Sequence, residues 1–221
     1  FALTSKYICP SIIPGGYVYD QTLVCIPGWS YGIFAVLQSC FHEHWATKYG
    51  ATLGETLRYN PSRCLETFTF PSDITSLHDI GETYHTLRSE IFKSQMVGVT
   101  GLYNLFHSPN CSSEGIVQLR NLSIQLDISV SLTYGWGDLF FDHGFHETKQ
   151  GIRFTISDEA RREVLRRLLK LNHERYEEEV AKGLHDKAKN KGKSPKKAKS
   201  DKNDDAGVDL FSVFDDTEDD E

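Results

Sequence analysis

The point at which strongly apolar residues stop is the feature that most limits how this chain can fold. After Lys182, Leu184 is the only strongly apolar residue before Val208. A segment of this composition buries too little apolar surface to offset the conformational entropy that ordering costs. We therefore expect the packed part of the 221-residue chain to end near residue 181, and residues 182–221 to form a disordered tail.

Charge is divided unevenly along the chain, whose formal net charge is -7. Residues 182–203 hold nine Lys and two Asp, whereas residues 204–221 hold nine acidic residues and no Lys or Arg. Residues 1–181 hold 15 basic and 20 acidic residues, a net charge of -5. This balance excludes a general polyanion binder, so any contact with DNA needs a local basic patch or a more basic partner.

The composition also argues against a membrane protein and against a disulfide scaffold. No stretch approaches about 18 uncharged apolar residues, and the start has no signal-peptide pattern. The five cysteines are an odd number, widely spaced and without a C-x-x-C pair, which is typical of reduced thiols. We expect a cytoplasmic protein without membrane partners. Because the chain begins with Phe1 rather than Met, we also expect it to be a piece of a longer polypeptide.

Residues 1–72 are expected to form a small β-containing region. Ser30 is a candidate N-cap of a helix that Gly50 ends, and Pro71 ends a run of alternating apolar and polar residues. The predicted elements are extended chain at 3–8 and 17–26, a helix over 30–48, a short helical piece at 53–57 and a half-buried strand over 64–70.

Residues 73–181 are expected to form a mainly helical region with an inserted hairpin near 138–156. Ser76 and Asp79 have the spacing of a capping box, and Ser157 is a candidate N-cap. The predicted helices run from this capping box to Gln95, over 100–106, and from Ser157 to about Ala181. Segment 116–134 is ambiguous, because its alternating pattern favours a strand whereas its length favours a helix.

Searches for catalytic and metal motifs are negative. The sequence has no glycine-rich phosphate loop, no G-x-S-x-G and no H-E-x-x-H. His42 and His44 are two residues apart, so on a helix their side chains point in different directions. The Asp142 to His146 loop has no Cys or acidic cluster at ligand spacing. We therefore predict no catalytic, cofactor-binding or metal-binding residue in this chain.

Two arginines and a tyrosine fall on a predicted turn at 57–63. Arg58 and Arg63 could grip phosphate or fork onto guanine, and Tyr59 could contact the backbone or stack on a base. Lys48, at the end of the preceding helix, could reach the same region. These four residues are our predicted DNA contacts. The alternative is an ordinary charged turn.

The tail carries an apolar island at 208–214 inside its acidic block. Such islands are typical of short motifs that become ordered on a partner. Leu210 and Phe211 resemble the Leu-Phe peptide that docks on bacterial sliding clamps, although Gly207 replaces the usual leading Gln. The lysine run at 187–202 could hold phosphates loosely, but the acidic block competes for it, so a solubilising tail is the favoured interpretation.

The chain resembles, at four places in order, the C-terminal part of bacterial type IIG single-chain restriction–modification proteins. Residues 68–71 read Phe-Thr-Phe-Pro where the family usually has Phe-Pro-Phe-Pro at the end of its target-recognition domain, so Thr69 replaces the first Pro. Tyr-Gly-Trp at 134–136 follows a stretch that is helical in the family, so the resemblance implies that 116–134 is a helix. The matching places are 34–46 with 58–59 and 66–71, 87–88 with 98–107, 119–139, and 159–176.

This resemblance implies a fold and a function. The expected fold is α+β: the C-terminal part of a target-recognition domain at 1–72, helices at 73–181 and a disordered tail. The family has an adenine-specific DNA methyltransferase, which uses S-adenosylmethionine and an Asn-Pro-Pro-Tyr motif that grips the flipped adenine. Neither that motif nor an acid-acid-lysine nuclease site is found in this sequence. The resemblance therefore implies DNA recognition and structural support for a catalytic portion, fused or separate. The alternative is a non-enzymatic interaction protein whose tail docks on a partner such as a sliding clamp.

Overall fold

A computed structural model describes residues 1–13, 15–28, 30–53 and 56–184, in which helices predominate and the fold is α+β. Phe1–Glu178 form one compact unit, and Glu179–Glu221 make up the remainder of the chain. The helices are α1 (Tyr31–Gln38), α2 (Cys40–Tyr49), α3 (Pro61–Cys64), α4 (His78–Gln95), α5 (Val99–Phe106), α6 (Glu114–Thr133) and α7 (Asp158–Ala181). The strands are β1 (Thr4–Ser5), β2 (Ala51–Leu53), β3 (Thr56–Arg58), β4 (Gly144–Thr148) and β5 (Gly151–Thr155). The tail predictions for 185–221 lie outside the described residues.

Three short antiparallel strands form the first sheet, in the order β1-β3-β2. Arg58 is in register with Thr4 on one side and with Ala51 on the other. The prediction of a helical piece at 53–57 is wrong, because residue 53 pairs with residue 56, and residue 52 with residue 57, in antiparallel strands. Threonines at positions 52 and 56 favour extended chain, and β1 supplies a pairing partner from a distant part of the sequence.

The predicted helix over 30–48 is two helices, because the chain breaks at Ser39. Ser30 caps α1 as predicted, accepting a hydrogen bond from the Ile33 N–H at 3.1 Å. Ser39 is extended, and its hydroxyl donates to a carbonyl of α1. Asp127 of α6 then accepts from the Cys40 N–H at 2.8 Å and so caps α2 from another helix. Gly50 ends α2 as predicted.

The strand predicted over 64–70 is also wrong. Residues 61–64 form α3, and the following residues have no strand partner in the described part of the chain. Side chains satisfy their carbonyl groups instead: Asn172 donates to Thr67 at 2.7 Å and Tyr134 donates to Thr69 at 2.7 Å. Burial does not follow the alternation, since the neighbours Phe68 and Thr69 are both buried.

In the helical region, the observed elements agree more closely with those predicted from the sequence. Helix α4 ends at Gln95 as predicted, and α6 is a helix in spite of its alternating pattern. The capping box is wrong, because Ser76 lies in a 3-10 turn and Asp73 accepts from the Thr75 N–H instead. Helices α1, α4 and α6 pack together, so elements from both sides of the predicted boundary at residue 72 are in contact. None of the described helices is long and apolar enough to cross a lipid bilayer.

The predicted hairpin and the last helix are confirmed. Strands β4 and β5 pair in antiparallel register, with Phe145 opposite Phe154. The Ser157 hydroxyl accepts from the Ala160 N–H at 3.2 Å, at the start of α7. The buried face of α7 includes Leu168.

Arg120 of α6 is buried and binds backbone carbonyls. Its guanidinium donates to the carbonyls of Leu105 (3.0 Å) and Phe106 (2.8 Å) at the end of α5. It also donates to those of Ser108 (2.8 Å) and Cys111 (2.9 Å) in the following loop. The carbonyls of Leu105 and Ser108 also accept from backbone N–H groups at 3.1 Å, so Arg120 adds a second bond to each of them. Through its four hydrogen bonds, one side chain fixes the path from α5 to α6.

Candidate functional site

Three of the predicted DNA contacts are exposed on neighbouring elements. Lys48 is in the last turn of α2, Arg58 ends β3 and Arg63 is in α3. The register of Ala51 with Arg58 brings the end of β3 beside the start of β2, directly after α2. Helix α3 packs against α2. We call Lys48, Arg58 and Arg63 the 48–63 patch.

Tyr59 does not belong to this exposed patch, which corrects its prediction as a DNA contact. Its side chain is only 2% exposed. His42 Nδ1 donates to the Leu37 carbonyl, so its Nε2 accepts from the Tyr59 hydroxyl at 2.9 Å. The ring of Tyr59 stacks on Phe1 at 4.6 Å, and burial raises the pKa of the phenol. Tyr59 therefore anchors the strand that carries Arg58.

The 48–63 patch is a local excess of positive charge on a chain whose formal net charge is -7. Among the described residues, no carboxylate lies within ion-pair distance of Lys48, Arg58 or Arg63. Residues 48–63 contain one acidic residue, Glu55, which lies outside the described ranges. Unpaired cations on rigid elements can bind phosphate oxygens without first breaking an internal ion pair.

A second cluster of polar groups lies inside the molecule, around a cavity of about 50 Å³ between α2, α6 and the hairpin. Asp127 accepts from the Cys40 N–H, and its other oxygen accepts from His143 Nε2 at 2.9 Å. Both side chains of the Asp127–His143 pair are 8% exposed. Glu43 also lines the cavity. Asp127 thus joins the start of α2 to the hairpin.

Buried hydrogen bonds in this internal cluster link separate elements of the fold. Burial, together with the nearby Asp127, raises the pKa of the Cys40 thiol, so the thiol stays protonated and is a poor nucleophile. Burial also raises the pKa of Glu43 to about 7 and lowers that of His107 to about 3. In the described ranges, no group of three His, Cys, Asp or Glu side chains is arranged to hold a metal ion.

His42 and His44, which the sequence places two residues apart on α2, are also held inside the fold. His42 bonds Leu37 and Tyr59, and burial lowers its pKa to about 4. Burial lowers the pKa of His44 to about 3, so both rings are neutral at pH 7.

Sequence reasoning did not find Asp127 as a cap, since its partners lie far away in the chain. The signal that could have found it is a single acidic residue within the otherwise uncharged stretch 121–133.

Comparisons with known proteins give no match to a family model, to a curated protein or to a solved structure. The resemblance to type IIG proteins therefore stays a prediction, and function must be argued from the chain itself.

Proposed function

We propose that this chain recognises DNA and supports the catalytic portion of an adenine-specific DNA methyltransferase or restriction–modification protein in the cytoplasm. The observation that carries the proposal is the 48–63 patch. It consists of exposed cations on three adjoining elements, without an ion-pair partner among the described residues. The sequence resemblance supplies the class of assembly in which such a patch would work.

The three cations suit different contacts with a DNA duplex. Lys48 carries a compact charge on a flexible stem and suits a phosphate oxygen. Arg58 and Arg63 present planar forks, which can bind phosphate or the O6 and N7 atoms of guanine. Because Tyr59 anchors β3 in the core, the position of Arg58 is defined before DNA binds.

We expect the isolated chain to bind DNA weakly. Residues 1–181 carry a net charge of -5, and the methyltransferase portion, with its S-adenosylmethionine site, is not in this sequence. Sequence-selective binding of the isolated chain at nanomolar concentration would contradict this expectation.

The test is to measure DNA affinity of the assembled protein by fluorescence anisotropy at several salt concentrations. Arg58→Ala or Arg63→Ala should cost about 1–3 kcal/mol if the side chain contacts a base, or should reduce the salt slope by about 1 if it contacts phosphate. The matched control is Arg162→Ala, because Arg162 is exposed on α7 and paired with Asp158. Equal effects of all three variants, or no effect of either patch variant, would refute the proposal.

The alternative, a non-enzymatic interaction protein, depends on the apolar island of the tail. Leu210 and Phe211 lie outside the described residues. Replacing both by Ala should abolish recovery of the chain on an immobilised sliding clamp if this interpretation holds. Unchanged recovery would remove the clamp from consideration.

A further inference from the structure

Arg88 of α4 is a buried cation that has no carboxylate beside it. The residue is 2% exposed, and among the described residues no Asp or Glu lies within ion-pair distance of its guanidinium. Two of the acceptors that it reaches are neutral: Nη1 donates to Gln38 Oε1 and Nη2 donates to the Pro10 carbonyl, both at 2.6 Å. A buried charge is costly unless it is paired, so the surroundings of Arg88 favour a neighbouring group that can become an anion.

The aromatic groups around Arg88 do not supply that negative charge. Its Cζ lies 5.1 Å from the ring centroid of Phe34 and 5.9 Å from that of Tyr84, and such cation–π contacts leave the charge uncompensated. The Tyr103 hydroxyl accepts from Nη1 at 3.4 Å. Burial raises the pKa of Tyr103 to about 12, so this hydroxyl is neutral at pH 7.

Arg88 also has hydrogen-bond donors to spare. A guanidinium carries five N–H groups. The buried Nε of Arg88 has no partner in the described part of the chain. An anion with two oxygen atoms can engage such a donor fork, as carboxylates do in bidentate pairs.

Cys9 is the neighbour of Arg88 that oxidation can turn into such an anion. Its Sγ accepts from Nη1 of Arg88 at 3.2 Å. The residue is partly exposed, and it helps to line a small cleft with Phe1 and Ser5. Residues 8–13 have no regular secondary structure, so the sulfur can shift to make room for added oxygen atoms.

We propose that Cys9 is an oxidation site for hydroperoxides, and that Arg88 binds the sulfinate that forms there. In the first step the sulfur attacks one oxygen of hydrogen peroxide, an S–O bond forms and the O–O bond breaks. The thiol becomes a sulfenic acid, and its proton leaves with the second oxygen as water. A second peroxide oxidises the sulfenic acid to a sulfinic acid in the same way, and each step takes two electrons from sulfur. The sulfinic acid gives its proton to solvent, and the anion pairs with the guanidinium.

The other four cysteines lack this combination of access and a neighbouring cation. Cys40 and Cys64 are buried. Cys25 is exposed and Cys111 is partly exposed, but in the described contacts no arginine donates to either sulfur. Oxidation should therefore be selective for Cys9. Since the sulfinate would join Cys9 to α4 by an ion pair, it should also stabilise the fold.

Peroxide treatment of the full chain, followed by mass spectrometry of its peptides, tests the site. We expect Cys9 to gain two oxygen atoms at least about tenfold faster than Cys25, although Cys25 is more exposed. In urea that unfolds the chain, the two rates should become similar, because Arg88 no longer lies beside Cys9. Equal or faster oxidation of Cys25 in the folded chain, or a preference for Cys9 that persists in urea, would overturn the proposal.

A carboxylate in place of the sulfinate tests the pairing with Arg88. Cys9→Asp puts an anion beside the guanidinium, and Cys9→Asn is the matched control, with the same shape and no charge. In thermal melts at pH 7, Cys9→Asp should melt at least about 3 °C above Cys9→Asn. Both variants keep Arg88, whose substitution would also break its bonds to Gln38 and Pro10. An equal or lower melting temperature for Cys9→Asp would overturn the proposed pairing.

Discussion

Asp127 should contribute more to stability than most side chains of its size, because it satisfies two buried donors from different parts of the chain. Replacing it by Ala leaves the Cys40 N–H without its acceptor and removes the partner of His143. An unsatisfied buried donor costs about 1–3 kcal/mol, and loss of a bond to a charged group costs about 1.5–3 kcal/mol. We expect Asp127→Ala to lower the free energy of unfolding by about 3–5 kcal/mol, because both losses occur together.

Urea unfolding followed by circular dichroism at 222 nm measures this loss. For a domain of this size, about 3 kcal/mol corresponds to a fall of about 6–12 °C in melting temperature. Asp127→Asn should lose less, about 1–2 kcal/mol, because the amide oxygen still accepts from the Cys40 N–H. Glu90→Ala, an exposed carboxylate on α4, is the control and should stay within about 0.5 kcal/mol of wild type. A loss below about 1 kcal/mol for Asp127→Ala would refute the capping argument.

Three further predictions concern the core. Arg120→Met should lower the free energy of unfolding by about 3 kcal/mol, since it removes four hydrogen bonds from a charged group to backbone carbonyls; a change under about 1 kcal/mol in urea unfolding would contradict this. Gly81→Ala should destabilise the protein by about 1–3 kcal/mol despite the higher helix propensity of Ala, because its Cβ would lie 2.2 Å from a carbonyl oxygen of α1. Gly98→Ala, which meets no atom within 4 Å, is its control in thermal melts. Burial and the nearby Asp127 raise the pKa of Glu43 from 4.5 to about 7, so this carboxyl stabilises the fold below pH 4.5 and loses that contribution as the pH rises through 7. Glu43→Gln should therefore gain stability relative to wild type between pH 5 and 8, and parallel pH curves for the two proteins would contradict the assignment.

The long helices could be predicted from sequence because their signals are local. The end of α4 at Gln95 and the start of α7 after Ser157 follow from residues within a few positions of each boundary. For α6, periodicity favours a strand and length a helix, and the resemblance to type IIG proteins is what decides for the helix that the structure shows. Its alternating apolar residues lie on both sides of the helix, since Leu126 and Val130 are buried whereas Ile128 and Leu132 are exposed.

The errors have long-range causes. The break at Ser39 depends on Asp127, which lies 87 positions from Cys40, the residue that it caps. The segment 64–70, predicted as a strand, instead accepts hydrogen bonds from Asn172 of α7 and from Tyr134. Neither set of hydrogen bonds can be predicted from a window of ten residues, because the partners are far apart in the sequence.

In the candidate site, too, local features could be predicted from the sequence and long-range contacts could not. The cations at 48, 58 and 63 are exposed, as their charge suggests. Tyr59 lies among them in sequence but turns into the core, because strand side chains alternate between two faces. Its partner His42 lies on α2, 17 positions away in the sequence, and no local pattern predicts that the two side chains meet.

The hydrogen bonds from Arg120 to the end of α5 limit how the loop before α6 can vary. Surface loops usually accept insertions and deletions, because little depends on the spacing of their backbone groups. Here the carbonyls of Ser108 and Cys111 must reach the same guanidinium as those at the end of α5. Adding or removing one residue between them would move at least one carbonyl out of reach. Among related chains that keep an arginine at this position, the loop should vary in sequence and keep its length.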